Sequence, residues 1–522
     1  MKRTTLILAL LIFVSGLAYG QEAYLDKTFG DGGVVTVALD WDEYINPYDV
    51  QSLPDGKIIH VGEISDPLEG NGIYVIRHHP DGQIDHSFGD QGRSVYYTGG
   101  YSNNTKLYRY PNGRLLVYGD RNDSKIGGLV PLLVRFFANG RIDSTFGDNG
   151  MYEPPRSVVG GGCFESIKVD KEGTIYAIGA TLLRGSISPI YHPSITRITS
   201  LGKNDSSFGD MGVMIVGAGS DKGTVNHAVM YEDNKCIFSV SPHNVSESSL
   251  NIFCTYLDGT IDSSFGTNGR IMTNLSDTYE YISRIIVDPD GKILCTAGMR
   301  SSQGGDNSVL LRFLANGEFD YTFGEFGVAP IPGEPNRWAF DIALDSNKNI
   351  IQWGRNVHYD HIIMYYLPNG QVDSSRGGNG TSQVIQKYNW WISSAATDRY
   401  GRFVFVGHAA GRDGIGTAFL CRMHNTGQAP AVSVPKVSSS VFMYPTPSTD
   451  NCTVTYTLPA SSQCTITLRD ESGREVRTFV QDEYRTAGKQ DEDIDLRGLA
   501  SGVYFLSIEH DDKTETAKLI KQ

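Results

Sequence analysis

Asp85-His86-Ser87-Phe88-Gly89-Asp90-Gln91-Gly92 is one of seven copies of a single phrase. The others begin at Asp26 (DKTFGDGG), Asp143 (DSTFGDNG), Asp205 (DSSFGDMG), Asp262 (DSSFGTNG) and Asp320 (DYTFGEFG), with a worn copy at Asp373 (DSSRGGNG). The aromatic position is held by Phe29, Phe88, Phe146, Phe208, Phe265 and Phe323, and then by Arg376. Successive copies lie 59, 58, 62, 57, 58 and 53 residues apart. A fixed period of this length marks a repeat architecture. Each unit has room for about four strands of 5–6 residues with their turns.

The units share an inner layout. A first apolar run ends in a tight turn, as at Pro54-Asp55-Gly56-Lys57, Pro111-Asn112-Gly113-Arg114 and Pro289-Asp290-Gly291-Lys292. Asp-Gly and Asn-Gly supply the positive φ angles that such hairpins need. A β-rich run follows, such as Leu115-Leu116-Val117-Tyr118, and often closes on glycine, at Gly62, Gly119, Gly179, Gly354 and Gly407. A third run leads to a second glycine turn. Its glycine, at Gly82, Gly140, Gly202, Gly259, Gly317 or Gly370, always stands six residues before the aromatic position.

Short strands with a glycine and an aromatic in each unit are the cue for a β-propeller. The turns count seven units, yet no aromatic phrase follows Gly427, and the surplus copy lies at Asp26 to Gly33. A ring resolves the mismatch: the N-terminal copy completes the last of seven blades and removes the open sheet edge. The phrase itself reads as structural. Phe packs between sheets, and Asp accepts bonds from turn amides. Arg77, Arg135, Arg197, Arg312 and Arg422 stand five residues before the second-turn glycine and are expected to pair with the phrase Asp. Cys254 and Tyr365 replace that arginine in two units. Over about residues 22–430 the chain resembles the delta-60 repeats, a bacterial β-propeller repeat. That resemblance implies a fold and no characterised chemistry.

A chain of 522 residues leaves space for a propeller and a smaller module. Its formal charge of −14 argues against a nucleic-acid partner, which needs a basic surface. Residues 1–20 read as a signal peptide: Lys2 and Arg3, an apolar run from Leu6 to Leu17, then Ala18-Tyr19-Gly20 for cleavage. The apolar run is shorter than the roughly 20 residues of a membrane span. The seven cysteines include no Cys-x-x-Cys and read as buried small hydrophobes. Cys464 is expected to face Tyr456, not Cys452, so no bridge is expected between them.

The propeller is assigned to residues 21–430 and a Pro/Ser-rich linker to 431–440. Residues 441–522 alternate cleanly, as in Cys452, Val454 and Tyr456 against Thr453, Thr455 and Thr457. About seven short strands there imply a small β-sandwich. The fold class is therefore all-β, a seven-bladed propeller followed by a sandwich. Tyr444-Pro445-Thr446-Pro447-Ser448, Gly473-Arg474-Glu475-Val476, Leu499-Ala500-Ser501-Gly502-Val503-Tyr504 and the terminal Lys518-Leu519-Ile520-Lys521-Gln522 make this module similar to the type IX secretion C-terminal sorting domain of Bacteroidota. The resemblance implies recognition by the type IX machinery, with Gly473, Arg474, Gly502, Tyr504 and Lys518 as motif residues. The protein is then secreted or held at the cell surface.

No G-x-S-x-G, H-E-x-x-H or phosphate loop occurs. The phrase Asp could suggest calcium, but each copy has at most two carboxylates, so a turn is preferred and no metal or cofactor is expected. His78-His79 reads as a solvated turn entry. Aromatics gather before the first strand of several units: Trp41, Tyr44, Tyr279, Tyr281, Trp338, Trp390 and Trp391. In a propeller those loops share a face, and their rings could stack on sugars or anchor a protein. Two functions follow: a non-enzymatic exported propeller that binds protein or glycan, or an extracellular enzyme acting on polysaccharide in the central channel. Carboxylates or His from different blades converging on one pocket would favour the second.

Overall fold

The structure, a computed structural model, describes residues 25–37, 44–124, 128–157, 159–183, 191–216, 223–232, 234–242, 250–273, 279–300, 306–330, 338–345, 347–356, 361–377, 380–383, 390–410, 416–424, 442–444, 448–458, 460–470, 474–510 and 513–521. The signal-peptide and linker assignments lie outside these residues. Every regular element described is a β-strand. The chain forms two compact units that part between Ala429 and Pro430.

The first unit contains seven four-stranded antiparallel sheets. Six are continuous in sequence: blade 1 (44–97), blade 2 (102–152), blade 3 (159–215), blade 4 (223–273), blade 5 (279–330) and blade 6 (338–383). Blade 7 takes three strands from Trp390–Thr397, Phe403–Ala410 and Gly416–Met423, and its fourth is Val34–Val37. Val34 pairs with Cys421 and Val37 with Ala418, so the chain closes its own ring. Seven apolar cores fill the seven junctions. Between blades 1 and 2, for example, Val61, Val75 and Phe88 meet Val117, Leu132 and Val134. Between blades 7 and 1, Phe29, Val404 and Leu420 meet Ile58, Tyr74 and Ile76. A middle strand is covered on both faces, which is why runs such as Ile58-Ile59-His60-Val61 do not alternate.

The repeated phrase bolts blade to blade. Asp85 Oδ1 accepts from Ser87 N at 3.1 Å and Ser87 Oγ at 2.6 Å, closing the turn. Its Oδ2 meets Arg77 Nε at 2.8 Å. The expected pairing recurs between Arg135 and Asp143 (2.9 Å), Arg197 and Asp205 (2.8 Å), Arg312 and Asp320 (2.9 Å), and Arg422 and Asp26 (2.9 Å). Each guanidinium also caps its phrase Phe, 4.4–4.6 Å from the ring centre. Four reach the next blade: Arg77 donates to Ala138 O, Arg135 to Ser200 O, Arg312 to Pro368 O and Arg422 to Pro80 O. The constant glycine belongs to this joint. A β-carbon at Gly140 would lie 2.9 Å from the Phe88 ring and 2.7 Å from Gly89 N, so only glycine lets the next blade close.

The two units without the arginine solve the joint differently. In blade 4, Lys235 supplies the cation, 2.9 Å from Asp262. In blade 6 the two partners have exchanged places. Arg376, at the aromatic position, meets Asp373 at 3.0 Å and caps Tyr365, which stands at the arginine position. The worn copy keeps the same contact with charge and ring swapped.

Position seven of the phrase has positive φ throughout the described copies, including Gln91, Asn149, Met211, Asn268 and Phe326. Phe326 (φ 54°) is 78% exposed and gains little burial for that strain. Phe326→Asn, matching Asn149 and Asn268, is expected to stabilise the chain by about 1 kcal/mol. A denaturant midpoint that does not rise would refute this.

The C-terminal unit packs a three-stranded sheet (Phe442–Tyr444, Asn451–Leu458, Gly488–Asp495) on a four-stranded one (Glu475–Arg485, Ser462–Asp470, Gly502–His510, Lys513–Lys521). Cys452, Val454, Tyr456 and Ile494 meet Ile466, Leu468, Leu506 and Ile508 between them. All seven cysteines are free, and Cys464 Sγ lies 3.7 Å from Tyr456 Oη, as the alternation requires. Tyr504 is buried and donates to Ala500 O at 2.9 Å, while Arg474 is exposed beside Asp470. Gly502 opens its strand opposite Lys521, and Lys518 pairs with Phe505. Gly473 lies outside the described residues.

Candidate functional site

The first strand of every blade lines the centre of the ring, and every one is bulged there. The ladder slips between Pro47 and Asp49, Asn103 and Lys106, Phe164 and Ser166, and Val225 and His227. It slips again between Ile282 and Arg284, Ala339 and Asp341, and Ile392 and Ser394. A bulge bends its strand and re-aims the side chains beside it. The glycines expected to close the second run lie inside that strand, opposite the bulge. A β-carbon on Gly62, Gly179, Gly354 or Gly407 would strike the carbonyl of Asn46, Cys163, Trp338 or Trp391. Glycine in the second strand is therefore the sequence signal of a bulge in the first.

The bulges direct polar groups into a cavity of about 650 Å³ lined from all seven blades. Around the ring these are Asp49, Lys106, Glu165, His227, Arg284, Asp341 and Ser394. Lys106 Nζ lies 2.6 Å from Glu165 Oε2. Arg284 Nε lies 2.8 Å from Asp341 Oδ1, close enough for charge attraction although the angle is poor for a hydrogen bond. Asp49 accepts from Val50 N (2.9 Å), Leu107 N of blade 2 (3.0 Å) and Ser394 Oγ of blade 7 (3.1 Å).

Protein surrounds these groups, yet the Arg284 side chain stays 32% accessible because the channel admits water. Burial raises the carboxyls of Asp49 and Asp341 despite their partners. It also opposes charge on Arg284, but Asp341 and Asp49 outweigh it and keep the guanidinium protonated. Burial, then the nearby Arg284 and Lys106, hold His227 neutral, with its affinity for a proton well below normal.

The expected aromatic face is only partly assembled. Trp41 lies outside the described residues; Tyr279 and Trp390 are placed by backbone alone, at the starts of their strands. Tyr44 is half-buried beside Glu63, whose carboxyl burial pushes up to about 7. Tyr281 rests its ring against Gly298, and Trp338 is half-buried. Trp391 alone of the described side chains in this set stays open, 39% exposed. It stacks with Phe340 of blade 6 (5.7 Å, 17°) and with His408 (6.2 Å, 13°), and Arg355 lies over its ring, 3.7 Å from the centre. Phe340 is the bulged residue of blade 6 and lines the cavity, so this stack and the polar ring are continuous.

His78 corrects an expectation. It is fully buried, its Nε2 3.1 Å from His60 Nε2, and does not face solvent. Among the described residues no group of three or more His, Cys, Asp or Glu could hold a metal. No described helix is long and apolar enough to cross a membrane.

Residues 442–522 match the secretion system C-terminal sorting domain. Residues 53–88, 111–146 and 289–323 match the beta-propeller domain of unknown function DUF5122. No curated protein matches the chain. Among solved structures, the β-propeller domain of the Trilobed protease from Pyrococcus furiosus is 9% identical, with TM-score 0.39 over 72% of this chain and 93% of that one. The acylaminoacyl peptidase of Pyrococcus horikoshii is 9% identical, with TM-score 0.40 over 80% of this chain and 59% of that one. An alpha-L-arabinofuranosidase from Fusarium graminearum is 11% identical, with TM-score 0.35 over 78% and 97%. Likeness at this distance carries no chemistry.

Proposed function

We propose that this chain, which joins propeller repeats of the DUF5122 type to a secretion-system sorting domain, is an exported binding protein whose ligand is a glycan held at the mouth of the central channel. The signal peptide at residues 1–20 and passage by the type IX machinery belong to the same proposal, as does release or display at the cell surface. The observation that carries the binding reading is Trp391. A large ring that stays 39% exposed, braced by Phe340, His408 and Arg355 and continuous with a polar cavity through Phe340, offers a sugar an apolar contact beside hydrogen-bonding groups.

The polysaccharide-enzyme reading draws support from Asp49, Glu165, His227 and Asp341, which reach one cavity from four blades. Their engagement weighs against it. Glu165 and Asp341 sit beside cations, and Asp49 accepts three hydrogen bonds, so none of the three carboxylates is poised as a lone acid or base.

Calorimetric titration with neutral oligosaccharides tests the binding reading. Trp391→Ala is expected to weaken affinity about tenfold, about 1.4 kcal/mol, with the melting temperature followed alongside. Unchanged affinity would remove the platform from the account. Release of reducing ends by the unaltered chain would favour the enzyme.

A further inference from the structure

We infer that the bulged ring is a recognition site for an uncharged sugar unit and discriminates against anionic sugars such as uronic acids. This deepens the glycan-binding proposal and rests on it.

Around the channel the side chains run acid, base, acid, neutral, base, acid, neutral: Asp49, Lys106, Glu165, His227, Arg284, Asp341, Ser394. Each cation stands within 3 Å of a carboxylate, at Lys106–Glu165 and Arg284–Asp341. Donor and acceptor thus lie side by side at two places on the wall. Vicinal hydroxyls of a neutral sugar can each give and take a hydrogen bond across such a pair without separating it. Hydrogen bonds to charged groups are the stronger kind.

An anionic ligand faces the reverse. Three carboxylates oppose it, and both cations are already matched, so binding must pull an ion pair apart inside a narrow channel. Leaving a charge unmatched there is expensive. Stability alone does not explain the ring either, because buried ion pairs contribute little to it and apolar residues would fill the same space. All seven strands are nevertheless bulged at this level. The cavity's size, about 650 Å³, suits a small ligand or the end of a longer chain.

The test titrates the full chain with neutral gluco-, manno-, galacto- and xylo-oligosaccharides and with oligogalacturonate as the anionic probe. The unaltered chain is expected to prefer its best neutral ligand at least about tenfold, or about 1.4 kcal/mol. Asp341→Asn frees Arg284, and Glu165→Gln frees Lys106. Either is expected to shrink that preference to less than threefold by admitting the anion, whereas Trp391→Ala weakens both ligands and keeps the ratio. Two variants on different blades guard against one failing to fold. A preference for oligogalacturonate in the unaltered chain, or a ratio that neither ring variant moves, would overturn the inference and leave glycan binding standing. If no oligosaccharide binds, the glycan reading falls and this inference with it.

Discussion

Asp26→Ala is expected to destabilise the chain by about 3–5 kcal/mol, and Asp205→Ala to cost far less, because its pair is solvent-screened. Both substitutions remove the first residue of the same repeated phrase. Around Asp205 the pair is wet: its side chain is 27% exposed and that of Arg197 is 24% exposed. Asp26 is buried and takes two cations, Arg422 Nε at 2.9 Å and Arg402 Nη1 at 2.8 Å. Its loss strands a buried guanidinium 396 residues away in sequence. It also loosens the strand that completes blade 7, where Asp26 N donates to Arg422 O at 2.8 Å. Denaturant midpoints of the two variants decide the matter, and equal losses would refute it. Early proteolytic cleavage near residues 34–37 is expected for Asp26→Ala alone, since opening the closure exposes a free strand. Burial raises the Asp26 carboxyl, but Thr28, Arg422 and Arg402 together hold it below the ordinary value. Its contribution is therefore present above about pH 4 and fades as pH falls through the lowered folded value.

A second loss of stability is expected at milder acidity, from pH 6.5 down to about 4. Tyr74 Oη donates to His60 Nδ1 (3.2 Å), His60 Nε2 to His78 Nε2 (3.1 Å), and His78 Nδ1 to Gly82 O (2.9 Å). This chain of bonds needs both rings neutral and assigns each tautomer. Burial pushes the His78 pKa down to about 4 against a backbone bond to Gly82 that raises it; His79 lowers it further and Asp81 opposes. Burial and the neighbouring His78 drive His60 well below normal. The unfolded chain takes up protons below about pH 6.5 that the folded chain refuses, so stability falls as pH falls through that window. For His78 alone the span corresponds to about 3 kcal/mol. Gly82 packs against Phe29 of the closing phrase, so the strain falls on the ring closure. A His60→Gln, His78→Gln double variant is expected to lose less melting temperature between pH 7 and pH 4.5 than the unaltered chain. Equal falls would refute the account.

Much of this was legible in the residues. The 59-to-53-residue period, the seven turns and the surplus phrase at Asp26 required a closed ring of seven blades, and blade 7 does take Val34–Val37 as its fourth strand. The offset between Arg77 and Asp85 foretold the ion pair that recurs in five blades. Such features repeat because each blade meets its neighbour in the same way, and repetition is what a single sequence can display. His78 was misread because its partner, His60, comes from another strand whose register is visible only when folded. Arg376 reads as decay in the sequence, yet in the fold Tyr365 holds the exchanged ring. A central channel was expected, but the side chains that line it were not. Asp49, Lys106, Glu165, His227, Arg284, Asp341 and Ser394 share a level in space but no single residue type, so no period marks them. Local sequence set what each blade shares with the next; the joining of seven different side chains around one cavity came only from closing the ring, because each strand contributes a single member.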